Sequence, residues 1–289
     1  MARSALVRAS GEAHSVVAAL EKDKAKWFAA TGSELRLNER GLAALARELH
    51  GRRSVTPADE SLSALIARLR TRPGPKRALD QVHAEPASTL RRAQHLLEAG
   101  DAQRGLLFLG DDDGIAVALA GLLEEAGIER RLDVLDVDDA LLGWARDTVG
   151  DEARLRTHAH DLRDPLPKGL QARFGCVVTD PPYAPEGFAL FLDRAREALK
   201  PAGRLWLSFG GSRRAPDRVL AKQRLVAEGG WLLEAAEPNA TRYDGAESIG
   251  ATSTLWRLRK TPETRALHRS AAGELYTRRA PHDEKDPSP

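Results

Sequence analysis

The chain has 289 residues, 42% of them hydrophobic and 30% charged, and its 44 Lys plus Arg against 42 Asp plus Glu leave a net charge of +2. Such a composition excludes collagen-like, mucin-like and wholly disordered chains, and no run approaches the roughly 20 apolar residues of a membrane-spanning helix. A single cysteine, Cys176, excludes an internal disulfide and any multi-cysteine zinc or iron–sulfur site, and Met1-Ala2-Arg3-Ser4 opens no secretory signal, so the expected location is the cytoplasm.

The charge is unevenly spread. Residues 1–80 hold 15 Lys/Arg against 9 Asp/Glu, whereas residues 81–260 hold 24 against 28. Two segments with different tasks follow from that asymmetry. In the first, Val16, Val17, Leu20, Trp27 and Phe28 predict a helix over 14–30, broken by Thr31-Gly32-Ser33. Asn38 is the expected cap of a second helix carrying Leu42, Leu45 and Leu49, with Gly51 as its stop. Thr56-Pro57-Ala58-Asp59-Glu60 opens a third, striped by Leu62, Leu65, Ile66 and Leu69. Three short helices of net positive charge suit a helix-turn-helix or winged-helix-like N-terminal domain over 1–75, ending at Arg72-Pro73-Gly74-Pro75-Lys76.

From residue 76 strand-like runs alternate with amphipathic helices: 105–110 then 115–126, 132–137 then 139–149, 174–180 then 188–199, with further strands at 204–209, 231–236 and 253–258. The alternation predicts an α/β catalytic domain over 76–260, a mainly parallel sheet with helices on both faces. Its ligands bind beyond the carboxyl ends of the strands. Residues 261–289 form a tail, ending in Pro281-His282-Asp283-Glu284-Lys285-Asp286-Pro287-Ser288-Pro289, that is expected to be flexible.

Four strand-to-loop junctions carry the chemistry. After Leu106-Leu107-Phe108-Leu109, the turn Gly110-Asp111-Asp112-Asp113-Gly114 stands where a nucleotide site has a glycine-rich loop. Two carboxylates ~5 Å apart repel by about 3 kcal/mol at an effective dielectric of 20, so the cluster demands nearby cations or a raised pKa. A pyrophosphate is disfavoured here and a cationic ligand favoured. The structural alternative is that the acids cap the next helix. At Leu135-Asp136-Val137-Asp138-Asp139, Asp136 is the candidate for the ribose hydroxyls of an adenosine group, and Asp138 or Asp139 for a helix cap; a structural role for Asp136 is the alternative.

At His158-Ala159-His160-Asp161-Leu162, Asp161 is the candidate acceptor for an adenine amine. The two histidines lack a third ligand, and no metal site is expected. The strand ending Val177-Val178-Thr179 leads into Asp180-Pro181-Pro182-Tyr183, a carboxylate on a proline-stiffened turn. In amino-group methyltransferases this pattern holds the amine to be alkylated, and Tyr183 can add a cation–π contact. A plain turn with packed prolines is the alternative.

With these residues in view, the chain resembles the branched-chain polyamine synthases, the N4-bis(aminopropyl)spermidine synthases. The resemblance is carried by Gly110-Asp111-Asp112-Asp113, Asp80-Gln81, Leu90-Arg91-Arg92-Ala93, and Asp180-Pro181-Pro182 with Glu186-Gly187 and Leu190-Phe191-Leu192. It covers roughly residues 75–210 and fades toward the C-terminus. It implies a winged-helix-like N-terminal domain before a Rossmann-like, methyltransferase-type sheet. It also implies transfer of 3-aminopropyl groups from decarboxylated S-adenosylmethionine, as co-substrate, to an amine of a polyamine such as spermidine, releasing methylthioadenosine.

On that resemblance Asp111, Asp112, Asp113 and Asp180 are the expected catalytic residues. Gly110, Asp136, Asp161 and Leu162 belong to the nucleoside, while Pro181, Pro182, Tyr183 and Tyr243 belong to the amine. Tyr243, Asp244 and Glu247 are available within 240–250 to cover the acceptor groove. The expected partners are a polyamine and a second copy of the chain, with no membrane and no nucleic acid. Two rivals share the sequence features. One is an amino-group methyltransferase using intact S-adenosylmethionine on nucleic acid, protein or a small amine; the other is a DNA-binding regulator with a ligand-sensing domain.

Overall fold

The computed structural model of the chain describes residues 24–31, 34–43, 58–210, 216–244 and 251–267. It divides into two compact units, Met1–Arg53 and Ser54–Pro289. The expected helix over 14–23, the tail beyond 267 and the acid Glu247 lie outside the described residues.

In the first unit a short helix, Lys24–Trp27, runs into a hairpin of β1 (Phe28–Thr31) and β2 (Glu34–Leu37). The expected helix therefore stops before Phe28. The alternating sequence Glu34-Leu35-Arg36-Leu37 offers a strand partner, and Phe28↔Leu37 through Thr31↔Glu34 pair antiparallel in its place. Asn38 caps the following helical turn as expected, its Oδ1 accepting the Gly41 N–H at 2.8 Å.

The second unit holds a seven-stranded sheet of order β5-β4-β3-β6-β7-β9-β8. Its strands are β3 (Leu106–Leu109), β4 (Leu132–Asp136), β5 (Leu155–Ala159), β6 (Phe174–Thr179), β7 (Leu199–Gly210), β8 (Trp231–Arg242) and β9 (Thr252–Lys260). Strands β3 to β7 are parallel, and β9 runs antiparallel between β7 and β8. Strand β5 escapes the sequence reading because Leu155-Arg156-Thr157-His158-Ala159 is an edge strand with a single buried apolar residue. The order reverses between β3 and β6, and this switch point is where Gly110–Asp113 and Asp180 end their strands.

The pleat sorts the core residues by parity. Leu106, Phe108, Leu132, Val134 and Val178 face one helical layer, while Leu107, Leu109, Leu135 and Val177 face the other. The first layer contains α1 (Asp59–Arg70), α2 (Pro86–Glu98), α3 (Ile115–Glu125) and α4 (Asp139–Val149). The second contains α5 (Pro185–Ala198) and α6 (Pro216–Glu228). Four consecutive buried residues in β3 mark it as an interior strand, and each such Leu or Phe contributes roughly 1.5–3 kcal/mol by leaving water. No helix among the described residues is long and apolar enough to cross a membrane.

Helix α1 departs from the domain boundary expected after residue 75. Its Leu65 and Leu69 are buried in the core of the larger unit, with Leu62 and Ile66 packed beside them. The stripe read from the sequence is correct, and its partners include Gly121 of α3 and Gly114. The proline-rich segment after it is a connection within the unit. Replacing Leu69 by Ala is therefore expected to cost about 2–5 kcal/mol of unfolding free energy in the whole chain, measured by urea titration. A loss under ~1 kcal/mol would place α1 outside this core.

Candidate active site

A cleft of about 830 Å³, open solvent at its mouth included, lies at the carboxyl ends of the parallel strands. Its lining includes Gly110, Asp112, Asp136 and Asp180, the apolar Leu135, Leu162, Leu190 and Phe191, and Pro181, Pro182, Tyr183 and Tyr243. All the expected site residues except Asp111 and Asp113 line this one cleft.

The turn after β3 explains that exception. Gly110 has φ +66°, a conformation that glycine adopts without steric cost, and its N–H donates to the Leu135 carbonyl at 2.9 Å. The three acids then enter three environments. Asp111 is buried and caps α3, Oδ1 accepting the Ile115 N–H and Oδ2 the Ala116 N–H, both at 2.8 Å. Burial outweighs those bonds and lifts its carboxyl to about 7. Asp113 points the other way. Its Oδ2 accepts from Arg92 Nη1 at 2.5 Å and its Oδ1 from the Ala84 N–H at 2.6 Å.

Asp112 alone faces the cleft, with no hydrogen-bond partner among the described residues. Burial, then the carboxylates of Asp113, Asp180, Asp136 and Asp111, push its carboxyl well above the ordinary range. The helix-cap alternative thus describes Asp111, whereas Asp112 lines the cleft.

Asp136 is buried, its Oδ1 accepting the Asp138 N–H at 2.8 Å and its Oδ2 the Asp111 N–H at 3.2 Å. Burial raises its carboxyl, partly offset by those bonds. Asp138 caps α4, as expected for one of the two acids beside it. It also accepts from Lys76 Nζ at 2.6 Å and Gln81 Nε2 at 3.3 Å, which holds the 79–82 loop over the cleft mouth. Asp161 lies at the rim, engaged by its neighbour Arg163, whose bond holds its carboxyl below the usual range. His158 bonds Asp133 at 2.8 Å and His160 meets the Asp164 carbonyl at 3.3 Å.

Asp180 stands opposite Asp112. Its Oδ2 accepts from the Tyr243 hydroxyl, which also meets Ser253 Oγ at 2.9 Å, and lies 3.8 Å from Arg92 Nη1. Its Oδ1 has no partner among the described residues. Burial sets its carboxyl at about 6, with Arg92 opposing the rise. Tyr243 reaches the site because the 82–85 segment pairs with the end of β8, bridging Ala84 and Tyr243.

One expected contact is already taken: the buried ammonium of Lys222 lies 4.4 Å from the Tyr183 ring centroid, near Phe209 and Phe188. Burial lowers that amine to about 8. The sequence reading named Arg92 only within the segment that carries the resemblance, gave it no role in the site, and missed Lys222. Arg92 falls in the stripe Thr89-Ala93-Leu96 of α2 and Lys222 in the stripe Val219-Leu225-Val226 of α6. A cation within an apolar stripe is the signal that a carboxylate or an aromatic ring awaits it.

Residues 60–273 match the family model described as the branched-chain polyamine synthase A C-terminal domain. The chain is 34% identical over 208 residues to an uncharacterized protein of Methanocaldococcus jannaschii, covering 69% of this chain and 51% of that one. It is 35% identical over 138 residues to the N(4)-bis(aminopropyl)spermidine synthase of Thermococcus kodakarensis, covering 46% of this chain and 38% of that one. It thus spans about half or less of the length of these curated relatives. The structure is similar to the crystal structure of the branched-chain polyamine synthase from Thermus thermophilus in complex with N4-aminopropylspermidine and 5'-methylthioadenosine, at a TM-score of 0.65 and 25% identity, covering 86% of this chain and 76% of that one.

The three environments separate the acids by stability. Asp113→Asn leaves Arg92 buried without its counter-charge and is expected to cost about 3–5 kcal/mol. Asp112→Asn removes only repulsion and should leave stability unchanged or slightly higher. Denaturant titration of both variants at neutral pH measures the contrast. Equal losses would contradict the assignment.

Proposed function

The chain belongs to the branched-chain polyamine synthase family, and on that premise we propose that it is an aminopropyltransferase. It moves 3-aminopropyl groups from decarboxylated S-adenosylmethionine to an amine nitrogen of a polyamine such as spermidine, with methylthioadenosine as the second product. The observation that carries the reading is the unpartnered Asp112 in the cleft lining, flanked by Asp180 and Asp136. A cofactor carboxylate placed at this glycine turn would meet like charge, whereas a sulfonium with a free propylamine meets attraction.

The roles follow from the positions. Asp136 takes the ribose hydroxyls, and Asp161 and Leu162 lie where the adenine would rest. Phe191 packs against Gly110, 3.4 Å from where a Cβ would stand, and gives the nucleoside an apolar wall. Asp112 and the free Oδ1 of Asp180 orient the acceptor amine, with the Pro181-Pro182 turn and Tyr183 shaping its groove. The amine lone pair attacks the propyl carbon bonded to sulfur, the C–S bond breaks, and its electrons stay on the neutral thioether. The new ammonium then gives up a proton to a carboxylate. Alignment and proton acceptance are the main contributions. Asp111 and Asp113 support this chemistry from behind, as helix cap and ion-pair partner. The basic N-terminal unit is assigned to contacts with a second copy in the cytoplasm, not to nucleic acid.

Incubation with decarboxylated S-adenosylmethionine and a panel of amines, read by mass, should give methylthioadenosine and amines heavier by one or more aminopropyl groups. A clear preference for intact S-adenosylmethionine, with methylated product, would replace the proposal by an amino-group methyltransferase. Asp112→Asn and Asp180→Asn should each lower kcat/KM by about 10²–10⁴-fold, while Asp111→Asn acts mainly through stability.

The raised carboxyls also set a pH dependence. Folded Asp111 and Asp112 bind protons above the pH at which the unfolded chain has released them. Without ligand, stability therefore falls as pH rises from about 4 through 7. A polyamine binds the ionised form, so its stabilising shift in Tm is expected to be larger at pH 8 than at pH 5. A shift independent of pH would remove these carboxylates from the amine site.

A further inference from the structure

Arg92 is 3% exposed and faces the core from α2. A guanidinium that serves only to neutralise one carboxylate usually meets it as a two-nitrogen fork. Arg92 does not. Its Nη1 alone reaches both Asp113 Oδ2, at 2.5 Å, and Asp180 Oδ2, at 3.8 Å, while the buried Nε and Nη2 have no hydrogen-bond partner. Asp113 follows β3 and Asp180 follows β6, so one nitrogen spans the two strand ends that frame the switch point. The same Asp180 oxygen receives the Tyr243 hydroxyl, which leaves Oδ1 to the cleft.

Resting on the aminopropyl-transfer reading, we propose that Arg92 is a positioning residue of the amine site: it clamps the two acidic turns at a fixed separation and holds Asp180 as the charged acceptor of the incoming amine's proton. Arg92 touches neither substrate and acts through Asp113 and Asp180. The groups facing Asp180 come from several elements. Arg92 of α2 and Lys222 of α6 favour its charged form, as does the Tyr243 hydroxyl at the end of β8, while Asp113 and Asp112 of the turn after β3 oppose it. Arg92 is the first among the favourable influences, so its loss moves Asp180 upward.

Two readouts on the whole chain test the clamp: the pH profile of kcat/KM for spermidine and decarboxylated S-adenosylmethionine, and the carboxyl-carbon NMR titration of Asp180, assigned by its absence in Asp180→Asn. The wild type should titrate near 6. Arg92→Gln should move that midpoint, and the acidic limb of the profile, up by about one pH unit or more. Arg92→Lys keeps the charge but not the reach of the planar group. It should hold the limb near the wild-type position while lowering kcat about tenfold or more.

An Asp180 midpoint unmoved in a folded Arg92→Gln protein overturns the proposal. If that variant does not fold, an Arg92→Lys protein with wild-type kcat and profile overturns it. Should the wild type release no methylthioadenosine with any amine, the functional reading fails, and the Asp180 titration still decides whether Arg92 governs that carboxyl.

Discussion

A guanidinium and a carboxylate, Arg92 and Asp113, face each other in the interior, each with a side chain 3% exposed. Removing two charges from water costs several kcal/mol per ion, and their attraction offsets this only where further hydrogen bonds satisfy the remaining atoms. The second oxygen of Asp113 accepts the Ala84 N–H, and its backbone carbonyl accepts from Arg72 at 2.7 Å and Thr89 at 3.3 Å. Arg72 also donates to the Ala84 carbonyl at 2.6 Å. The whole approach from α1 to α2 is thereby tied to one turn. Ala84 in turn bridges to Tyr243, which bonds Asp180. The amine side of the cleft is a short chain of polar contacts leading away from a single buried pair.

That dependence explains how three adjacent acids are tolerated. Their charges would repel strongly if all faced one cavity. The tight turn between Gly110 and Gly114 sends them in different directions: Asp111 toward the first N–H groups of α3, Asp113 toward Arg92, and Asp112 toward the cleft. Two of the three carboxylates are answered by the protein itself. Only the middle one is left for a ligand, and the other two hold its backbone in place.

Much of this was legible in the sequence. The strand–helix alternation located the parallel strands because apolar runs such as Leu106–Leu109 are buried on both faces, and the acids at their ends marked the cleft. What escaped depends on partners far away in the chain. Strand β5 lacks an apolar run because it is an edge. Phe28–Ala30 reads as the end of a helix until Glu34–Leu37 is present to pair with it. The stripe of α1 was correct while its owner was not, since a stripe records that a face is buried and not what buries it. The sequence also could not divide the roles of Asp111, Asp112 and Asp113. That division rests on the φ of Gly110 and on an arginine about 20 residues upstream.

The net charge of +2 describes none of this, because the relevant charge is local. Asp112, Asp136 and Asp180 line the cleft, while Arg92 and Lys222, the cations that act on Asp180, are buried behind the lining. A ligand therefore meets the carboxylates first. For alkyl transfer from a sulfonium this order is useful at each stage. The sulfonium and the acceptor's other ammonium groups are drawn in, and a carboxylate on the donor would be repelled by about 3 kcal/mol at ~5 Å, more than a hundredfold in affinity. As the bond forms, positive charge passes from sulfur to nitrogen and stays beside the same acids. On the proposed reading Asp180, raised to about 6 by burial against the pull of Arg92, takes the proton from the product ammonium and returns it to water at neutral pH. Asp112, pushed well above the ordinary range by burial and by the neighbouring carboxylates, depends on the ligand's charge to remain ionised. On the proposed reading, binding of a polycation and readiness of the site are one event, because the substrate supplies the cation that the turn leaves out.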